Sequence, residues 1–248
     1  MILSRLTWKQ VRAVSRDVVV IVPTGSLEQH GPHLPLFTDT LLVTAVAEAV
    51  ERDIPDKVLL TPTHWLGCSG HHLAFDGSLS NSFDAYSDSL EQTARCLVSY
   101  GFTKFFFLNG HGGNTAPNNI VCRRLKANHK DFVFGAAGYF DYIPTEVLER
   151  TMEGKIKKIQ HACEAEASLM MHLHPSLVDV GALRDDGLAP QPAIQGLTIH
   201  FDELTEEGSL GYATLATAAK GKTLFESAVD GVTAQMSALA EGFALLEI

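Results

Sequence analysis

Residues 17–23 read Asp-Val-Val-Val-Ile-Val-Pro, a continuous β-branched run that ends at a proline. A run of this kind is typical of a strand that is covered on both faces, as in a parallel sheet. Similar short runs follow along the chain and predict three more strands, at 57–62, 104–108 and 132–137.

Segments with apolar residues at helical spacing lie between and after these strands. They predict helices at 40–51, at 83–100, from the 109–114 turn to about 129, at 164–174 and over most of 214–246. The stretch 183–200 is irregular and carries Gly and Pro. Alternating strands and helices predict an α/β fold with a parallel sheet and helices on both faces. With no repeat or linker in view, we expect a single domain over residues 1–248.

The composition is that of a packed globular protein, with 46% hydrophobic and 19% charged residues. The formal net charge of −10 argues against a general nucleic-acid binder, which would show a basic stripe. Attraction of cations and ordinary solubility both account for this acidity.

The four cysteines are scattered and form no CxxC pair, so neither a disulfide framework nor a zinc ribbon is indicated. Reduced thiols fit a cytosolic chain better. Residues 1–12 lack the apolar stretch of a signal peptide, and no apolar run is long enough to span a bilayer. We therefore predict a cytoplasmic protein with no membrane partner.

Polar loops follow the first three predicted strands, and they hold most of the acidic and imidazole residues. In a parallel sheet, ligands bind beyond the carboxyl ends of the strands. The order of strands and loops therefore predicts one shared site at that edge.

The first loop contains Glu28, His30 and Asp39, which are ligand types for Zn or Mn. The alternative is a polar surface loop with solvated side chains. The third loop reads Asn-Gly-His-Gly-Gly-Asn at 109–114. A glycine-rich turn of this kind also suits a sugar-phosphate or nucleotide. Because GxGxxG and P-loop spacings are absent and no lysine follows, a metal-binding or catalytic imidazole at His111 is the better interpretation.

A third cluster, His161 to Glu166, opens a predicted helix. Carboxylates in a first helical turn favour the helix dipole whether or not they have a further function. On a helix, His161 and Glu164 are neighbours at i, i+3, while Glu166 lies on a different side. These groups therefore suit separate tasks, one catalytic and one coordinating.

Together these motifs resemble the creatininase (creatinine amidohydrolase) family. The matching pieces are GSLEQHGPHLPLFTD at 25–39, NGHGGN at 109–114, HACEAEASLM at 161–170 and, more loosely, HLAFDGS at 72–78. The resemblance implies a three-layer α/β/α sandwich with a mostly parallel central sheet. It also implies a small-molecule substrate and a homo-oligomeric assembly, of which a hexamer is one form.

The resemblance further implies a dinuclear centre of Zn or Mn, with Fe in some members. By motif position, Glu28 and His111 hold one ion, His30 and Glu166 hold the other, and Asp39 bridges the two.

His161 matches the family histidine assigned to proton transfer, and Glu164 is expected to orient it or to take a proton from the bridging water. A metal-bridged hydroxide would then hydrolyse a C–N amide bond in a small cyclic or formylated substrate. His72, Trp65 and Asn114 are the candidate substrate-binding residues.

One departure from the family turns the prediction away from creatinine. Creatininase itself has a carboxylate two residues after the histidine that matches His111, and this chain has Gly113 there. Creatinine amidohydrolase proper, a formylamino-pyrimidine deformylase and a peptide-maturing relative remain alternative functions. An alternative of another class is a metal-binding oligomeric scaffold without turnover.

Overall fold

A four-stranded parallel sheet forms the centre of the computed structural model, which describes residues 1–189 and 196–242. The strand order is β2-β1-β3-β4, with β1 at Val19–Thr24, β2 at Val58–Leu60, β3 at Lys104–Asn109 and β4 at Val133–Gly138. All three pairings are parallel, and Val19 lies opposite both Val58 and Lys104. The four predicted strands are therefore confirmed, with ends that differ by up to two residues.

Eight α-helices surround this sheet in the described ranges. They are α1 Trp8–Ala13, α2 Thr38–Asp53, α3 Phe83–Ser99, α4 Thr115–Asn128, α5 Thr145–Thr151, α6 Glu164–Leu173, α7 Phe201–Leu204 and α8 Ala218–Glu241. A short antiparallel pair, β5 (Asp185–Asp186) and β6 (Gly211–Tyr212), lies apart from the central sheet. Parts of two predicted segments, 190–195 and 243–246, lie outside the described residues.

The alternation of side chains along the strands divides the core into two layers. In β1, Val19 and Ile21 pack on the face covered by α2, α5, α6 and α8, whereas Val20 and Val22 pack on the face covered by α3 and α4. Both faces are buried, which is why the strand sequences are continuous apolar runs rather than alternating ones. The predicted three-layer α/β/α sandwich is confirmed.

The carboxyl ends of the strands bring the functional loops together. Thr24 and Asn109, the last residues of β1 and β3, lie opposite each other in register. The Thr24 hydroxyl donates a hydrogen bond to Asn109 Oδ1 over 3.0 Å. The loops that follow β1 and β3 therefore leave the sheet side by side. Within the described ranges, no helix combines the length and the apolar character needed to cross a membrane.

Candidate metal centre

The five predicted metal ligands lie together at this edge of the sheet. Their ligand atoms form two groups, each within 4.8 Å, and Asp39 belongs to both of them. The first group is Glu28, Asp39 and His111, and the second is His30, Asp39 and Glu166. All five side chains are buried, with relative exposures of 0–5%. Three segments distant in the chain thus bring three carboxylates and two imidazoles into one cluster, and all of these residues except His30 line the same cavity.

Asp39 stands between the two imidazoles. It lies in the first turn of α2, where the helix dipole favours a negative charge. Its Oδ1 is 3.0 Å from His30 Nε2, and its Oδ2 is 3.0 Å from His111 Nδ1. The Ser26 hydroxyl donates to Oδ2 over 2.8 Å. Each oxygen of Asp39 therefore faces one of the two groups.

Backbone carbonyls fix the tautomers of both imidazoles. His30 Nδ1 lies 3.0 Å from the Glu28 carbonyl oxygen, and His111 Nε2 lies 3.1 Å from the Cys68 carbonyl oxygen. A carbonyl oxygen only accepts, so these nitrogens carry the protons. His30 Nε2 and His111 Nδ1 are left to face the carboxylates. Metal-binding histidines are oriented in the same way, by a hydrogen bond from their second nitrogen.

Glu28 gives the clearest indication that a cation belongs here. The side chain is fully buried, and neither carboxylate oxygen has a well-directed hydrogen-bond donor. Its Oε1 nevertheless lies 3.1 Å from His111 Nδ1 and 3.2 Å from His72 Nε2. A buried carboxylate without directed donors is costly, and a bound cation removes that cost. The donor set of carboxylate oxygens and imidazole nitrogens fits Zn²⁺ or Mn²⁺.

Glu166 reaches the cluster from the first turn of α6. Its Oε2 accepts a hydrogen bond of 2.5 Å from the backbone N–H of Ala162. Ala162 has a positive φ of 50°, which is uncommon for a residue other than glycine. The carbonyl of Ala162 accepts from His33 Nε2 over 2.9 Å. Hydrogen bonds on both sides thus hold the turn between His161 and Glu166.

The close packing of these groups shifts their pKa values. Burial opposes a charge on His30, yet Asp39 raises its pKa to about 9. Burial also opposes a charge on His111, and Glu28 with Asp39 still holds its pKa well above the ordinary value. Asp39 is buried too, but its two imidazole neighbours keep its pKa low. Burial raises the pKa of Glu166 to about 8. In the absence of cations, protons therefore occupy this cluster at neutral pH.

His161 lies in the same cavity, as predicted. Its Nε2 is 2.7 Å from the Gln29 carbonyl oxygen and donates to it, so its Nδ1 carries a lone pair. That Nδ1 lies 3.6 Å from Glu28 Oε1, and the His161 ring centroid lies 4.2 Å from that of His30. Burial holds the pKa of His161 well below its ordinary value. The imidazole is therefore neutral, and its ligand atom lies within 4.8 Å of those of Glu28 and His30. A lone pair on Nδ1 in this position can accept a proton or bind a cation.

Glu164 has a different environment from the one predicted for it. The helix α6 begins at Glu164, so His161 lies before it and the expected i, i+3 relation does not arise. The Glu164 carboxylate accepts from the backbone N–H groups of Glu153 and Gly154, over 2.8 and 2.9 Å, and pairs with Lys220 Nζ at 2.7 Å. These contacts anchor a loop and α8 to α6, and they replace the predicted contact with His161.

Of the three candidate substrate-binding residues, only His72 lines the cavity. Asn114 is fully buried, and its side chain links the Cys68 N–H to the Gly25 carbonyl, both over 2.9 Å. It therefore holds two loops together. Trp65 is 42% exposed and lines a separate hollow beside α3. Neither Trp65 nor Asn114 lines the cavity beside the metal-ligand cluster.

The cavity has a volume of about 270 Å³, at the small end for ligand sites. Sequence patterns missed part of its wall, because these residues lie in loops or short helical turns that show no apolar period; they are Phe140, Ile159, Gln160, Phe201 and Leu210. Phe140, which follows β4 at the same sheet edge, could have been inferred from its position. Gly113 also lines the cavity, and a Cβ atom there would lie 2.2 Å from the Cys68 carbonyl oxygen. This backbone therefore has no room for a carboxylate at position 113.

Comparisons with known proteins give the same family as the motifs. The family described as Creatininase: Creatinine amidohydrolase matches residues 4–236. A mycofactocin precursor peptide peptidase from Mycobacterium tuberculosis is 33% identical over 221 residues, which cover 85% of this chain and 81% of the relative. Creatinine amidohydrolase from Pseudomonas putida is 29% identical over 242 residues, which cover 92% of each chain.

Solved structures agree with the sequence comparison. A crystal structure of creatininase superimposes with a TM-score of 0.84 at 29% identity and covers 95% of this chain and 96% of that chain. A mutant creatininase of Zn–Zn type and a Mn form of creatininase have the same TM-score at 28% identity. Because the family match spans nearly the whole sequence, this chain belongs to the creatininase family.

Proposed function

We propose that this protein is a hydrolase that uses two divalent cations, Zn or Mn, to cleave a C–N amide bond in a small substrate. The observation that carries the proposal is the pair of buried three-residue groups that share Asp39. Two cations held there would polarise the amide carbonyl and lower the pKa of a water molecule from 15.7 toward about 7. Fe remains a further possibility at the same donor set.

The chain's own residues have distinct tasks in this proposal. Glu28 and His111 would hold the first cation, His30 and Glu166 the second, and Asp39 both. His161 would accept at Nδ1 the proton that the attacking water loses and pass it to the leaving nitrogen of the amide, because Nδ1 carries a lone pair and faces the cluster.

The walls of the cavity favour a substrate with an apolar group near the scissile amide. Phe140, Ile159, Phe201 and Leu210 line it, and none of the described lining residues is Lys or Arg. A cyclic or formylated amide without a charged group fits this lining. The lack of room at Gly113 speaks against creatinine, whose hydrolase has a carboxylate at the matching place.

A short peptide is the second candidate substrate. The specific support is the 33% identity to a relative named as a peptide peptidase. A formylamino-pyrimidine remains the third option among amides, and a scaffold that binds cations without turnover is the non-enzymatic alternative. We also propose that the protein is cytoplasmic. We propose that it forms a homo-oligomer, with a hexamer as one candidate assembly. The free state of all four cysteines supports the location.

The experiment that tests this proposal combines metal analysis with a substrate panel. Protein purified without added metal is expected to hold two equivalents of Zn or Mn per chain. It should hydrolyse at least one of three probe classes, namely creatinine, formamides or short peptides, and chelation should abolish this turnover reversibly.

His161→Ala should lose turnover and keep both cations, and His172→Ala, outside the cavity, is the matched control. Two bound cations with no turnover on any probe would favour the scaffold. Equal turnover by His161→Ala and wild type would refute the proton-transfer role.

A further inference from the structure

Gln29, inside the first motif, has no role in the function proposed above, yet its side-chain nitrogen lies within 3.2 Å of two histidines that line the cavity, His72 and His161. It is 5% exposed. Its Oε1 accepts from the Gly31 N–H over 2.9 Å, and its Nε2 donates to the Gly208 carbonyl over 2.9 Å. The same Nε2 lies 2.8 Å from His72 Nδ1.

These contacts fix which end of the amide is oxygen and which is nitrogen. A flipped amide would place its NH₂ group against the Gly31 N–H and its oxygen against the Gly208 carbonyl oxygen. Both contacts would then join groups of the same kind, two donors or two acceptors. The amide nitrogen of Gln29 therefore faces His72.

The orientation of Gln29 decides the tautomer of His72. Because the amide nitrogen donates to His72 Nδ1, that atom carries a lone pair and the single ring proton lies on Nε2. His72 Nε2 lies 3.2 Å from Glu28 Oε1, so the protonated nitrogen lies beside a proposed metal ligand, although the contact lacks the direction of a hydrogen bond. His72 thus differs from His30, His111 and His161, each of which donates from one ring nitrogen to a backbone carbonyl and turns the other nitrogen toward the cluster.

We propose that Gln29 is a positioning residue that keeps the protonated nitrogen of His72 beside Glu28 and thereby stabilises this carboxylate as a ligand for the first cation. The proposal rests on the proposed metal centre. It assigns a task to a fully buried imidazole that lies beside the ligands without offering them a lone pair. Outer-shell partners of this kind typically contribute 10–100-fold to metal affinity.

The test starts with unaltered Zn-loaded protein labelled with ¹⁵N in histidine only. The nitrogen spectrum distinguishes a protonated ring nitrogen from a lone-pair nitrogen, and His72→Asn assigns the resonances. We expect His72 to carry its proton on Nε2. A proton on Nδ1 would overturn the proposal without any variant of Gln29 being needed.

Gln29→Glu then replaces the donor with an acceptor of the same shape. The proton of His72 should move to Nδ1, and Zn²⁺ affinity in a chelator competition should fall by about 10–100-fold. His161 should keep its proton on Nε2, because its partner is the backbone carbonyl of Gln29. Gln29→Met, which removes the donor without adding charge, keeps the test available if the glutamate variant does not fold.

The exposed Gln92→Glu on α3 is the matched control for the added charge and should change neither tautomer nor affinity. An unchanged His72 spectrum and unchanged Zn²⁺ affinity in Gln29→Glu would refute the role of Gln29. If the wild-type protein binds two cations but His72 is protonated on Nδ1, this inference fails while the proposed function stands. If His72 is protonated on Nε2 but no cation binds, the proposed function fails instead.

Discussion

Replacing Asp39 with asparagine removes the one charge that both proposed cation sites share while keeping the shape of the side chain. Each of its oxygens lies 3.0 Å from a different ligand imidazole. Asp39→Asn should therefore weaken both sites at once. Glu28→Gln and Glu166→Gln should each weaken only one, because each residue belongs to only one of the two groups that contain Asp39.

The size of the effect follows from the linkage between binding and folding. At a free Zn²⁺ concentration about 1,000 times the Kd, one cation stabilises the fold by about 4 kcal/mol. A site weakened roughly 100-fold retains about 1.4 kcal/mol at the same concentration. The loss is then about 2.7 kcal/mol per site, or about 5 kcal/mol for Asp39→Asn. In a chain of this length, each kcal/mol shifts Tm by about 2–4 °C.

The assay is thermal unfolding of chelated and Zn-loaded protein, with metal content measured on the same samples. Asp39→Asn should lose about 10–20 °C of the rise in Tm caused by Zn²⁺, and each single-site variant about half of that. The exposed Asp88→Asn is the control and should behave as wild type. If Asp39→Asn keeps two equivalents of Zn²⁺ and the full rise in Tm, the shared-ligand arrangement is wrong.

Three further predictions concern protonation, Glu164 and Gly113. At pH 7, Zn²⁺ binding to chelated protein should release more than one proton, since the pKa values of His30 (about 9) and Glu166 (about 8) keep both protonated without cations. Calorimetry in buffers of different ionisation enthalpy measures this release, which should shrink as the pH rises through 8 and 9. Glu164→Gln should cost about 1–3 kcal/mol in denaturant unfolding, because it removes the charge of a buried carboxylate that pairs with the partly buried Lys220. The variant should still bind two cations, and loss of turnover per folded molecule would restore the predicted catalytic role. Gly113→Ala should cost roughly 1–3 kcal/mol through its clash with the Cys68 carbonyl. Gly113→Glu should not confer creatinine hydrolysis, and creatinine turnover by that variant would refute the steric argument.

The sheet and the gathering of ligands could be predicted because both depend on local patterns. The six residues of β1 are buried on both faces, and a continuous apolar run is the sequence signature of that environment. Because the carboxyl ends of parallel strands meet at one edge of the sheet, Glu28, His30 and His111 could be placed near one another without any distance information. The assignment of individual residues to two cations came from the family resemblance and stays a proposal.

Contacts between distant segments could not be predicted in the same way. The partner of Glu164 is Lys220, on a helix 56 residues further along the chain, and the helical pattern shows only which face is apolar. Trp65 lies in a loop, where no periodicity indicates which way a side chain points. The helix α1 has no buried residue, so it leaves no apolar period to detect, although Thr7 and Gln10 form a capping box at its start.

Ala162 has a consequence for how this fold tolerates variation. A left-handed conformation costs an L-residue about 1–2 kcal/mol, and glycine would relieve that cost while adding about 0.5–1 kcal/mol of chain entropy to be lost on folding. The difference favours glycine by at most about 1.5 kcal/mol, so glycine should be tolerated here. A larger side chain would meet a fully enclosed position. This torsion turns the chain between His161 and Glu166, so that both side chains reach the same cavity. Homologues are therefore expected to carry only alanine or glycine at this position.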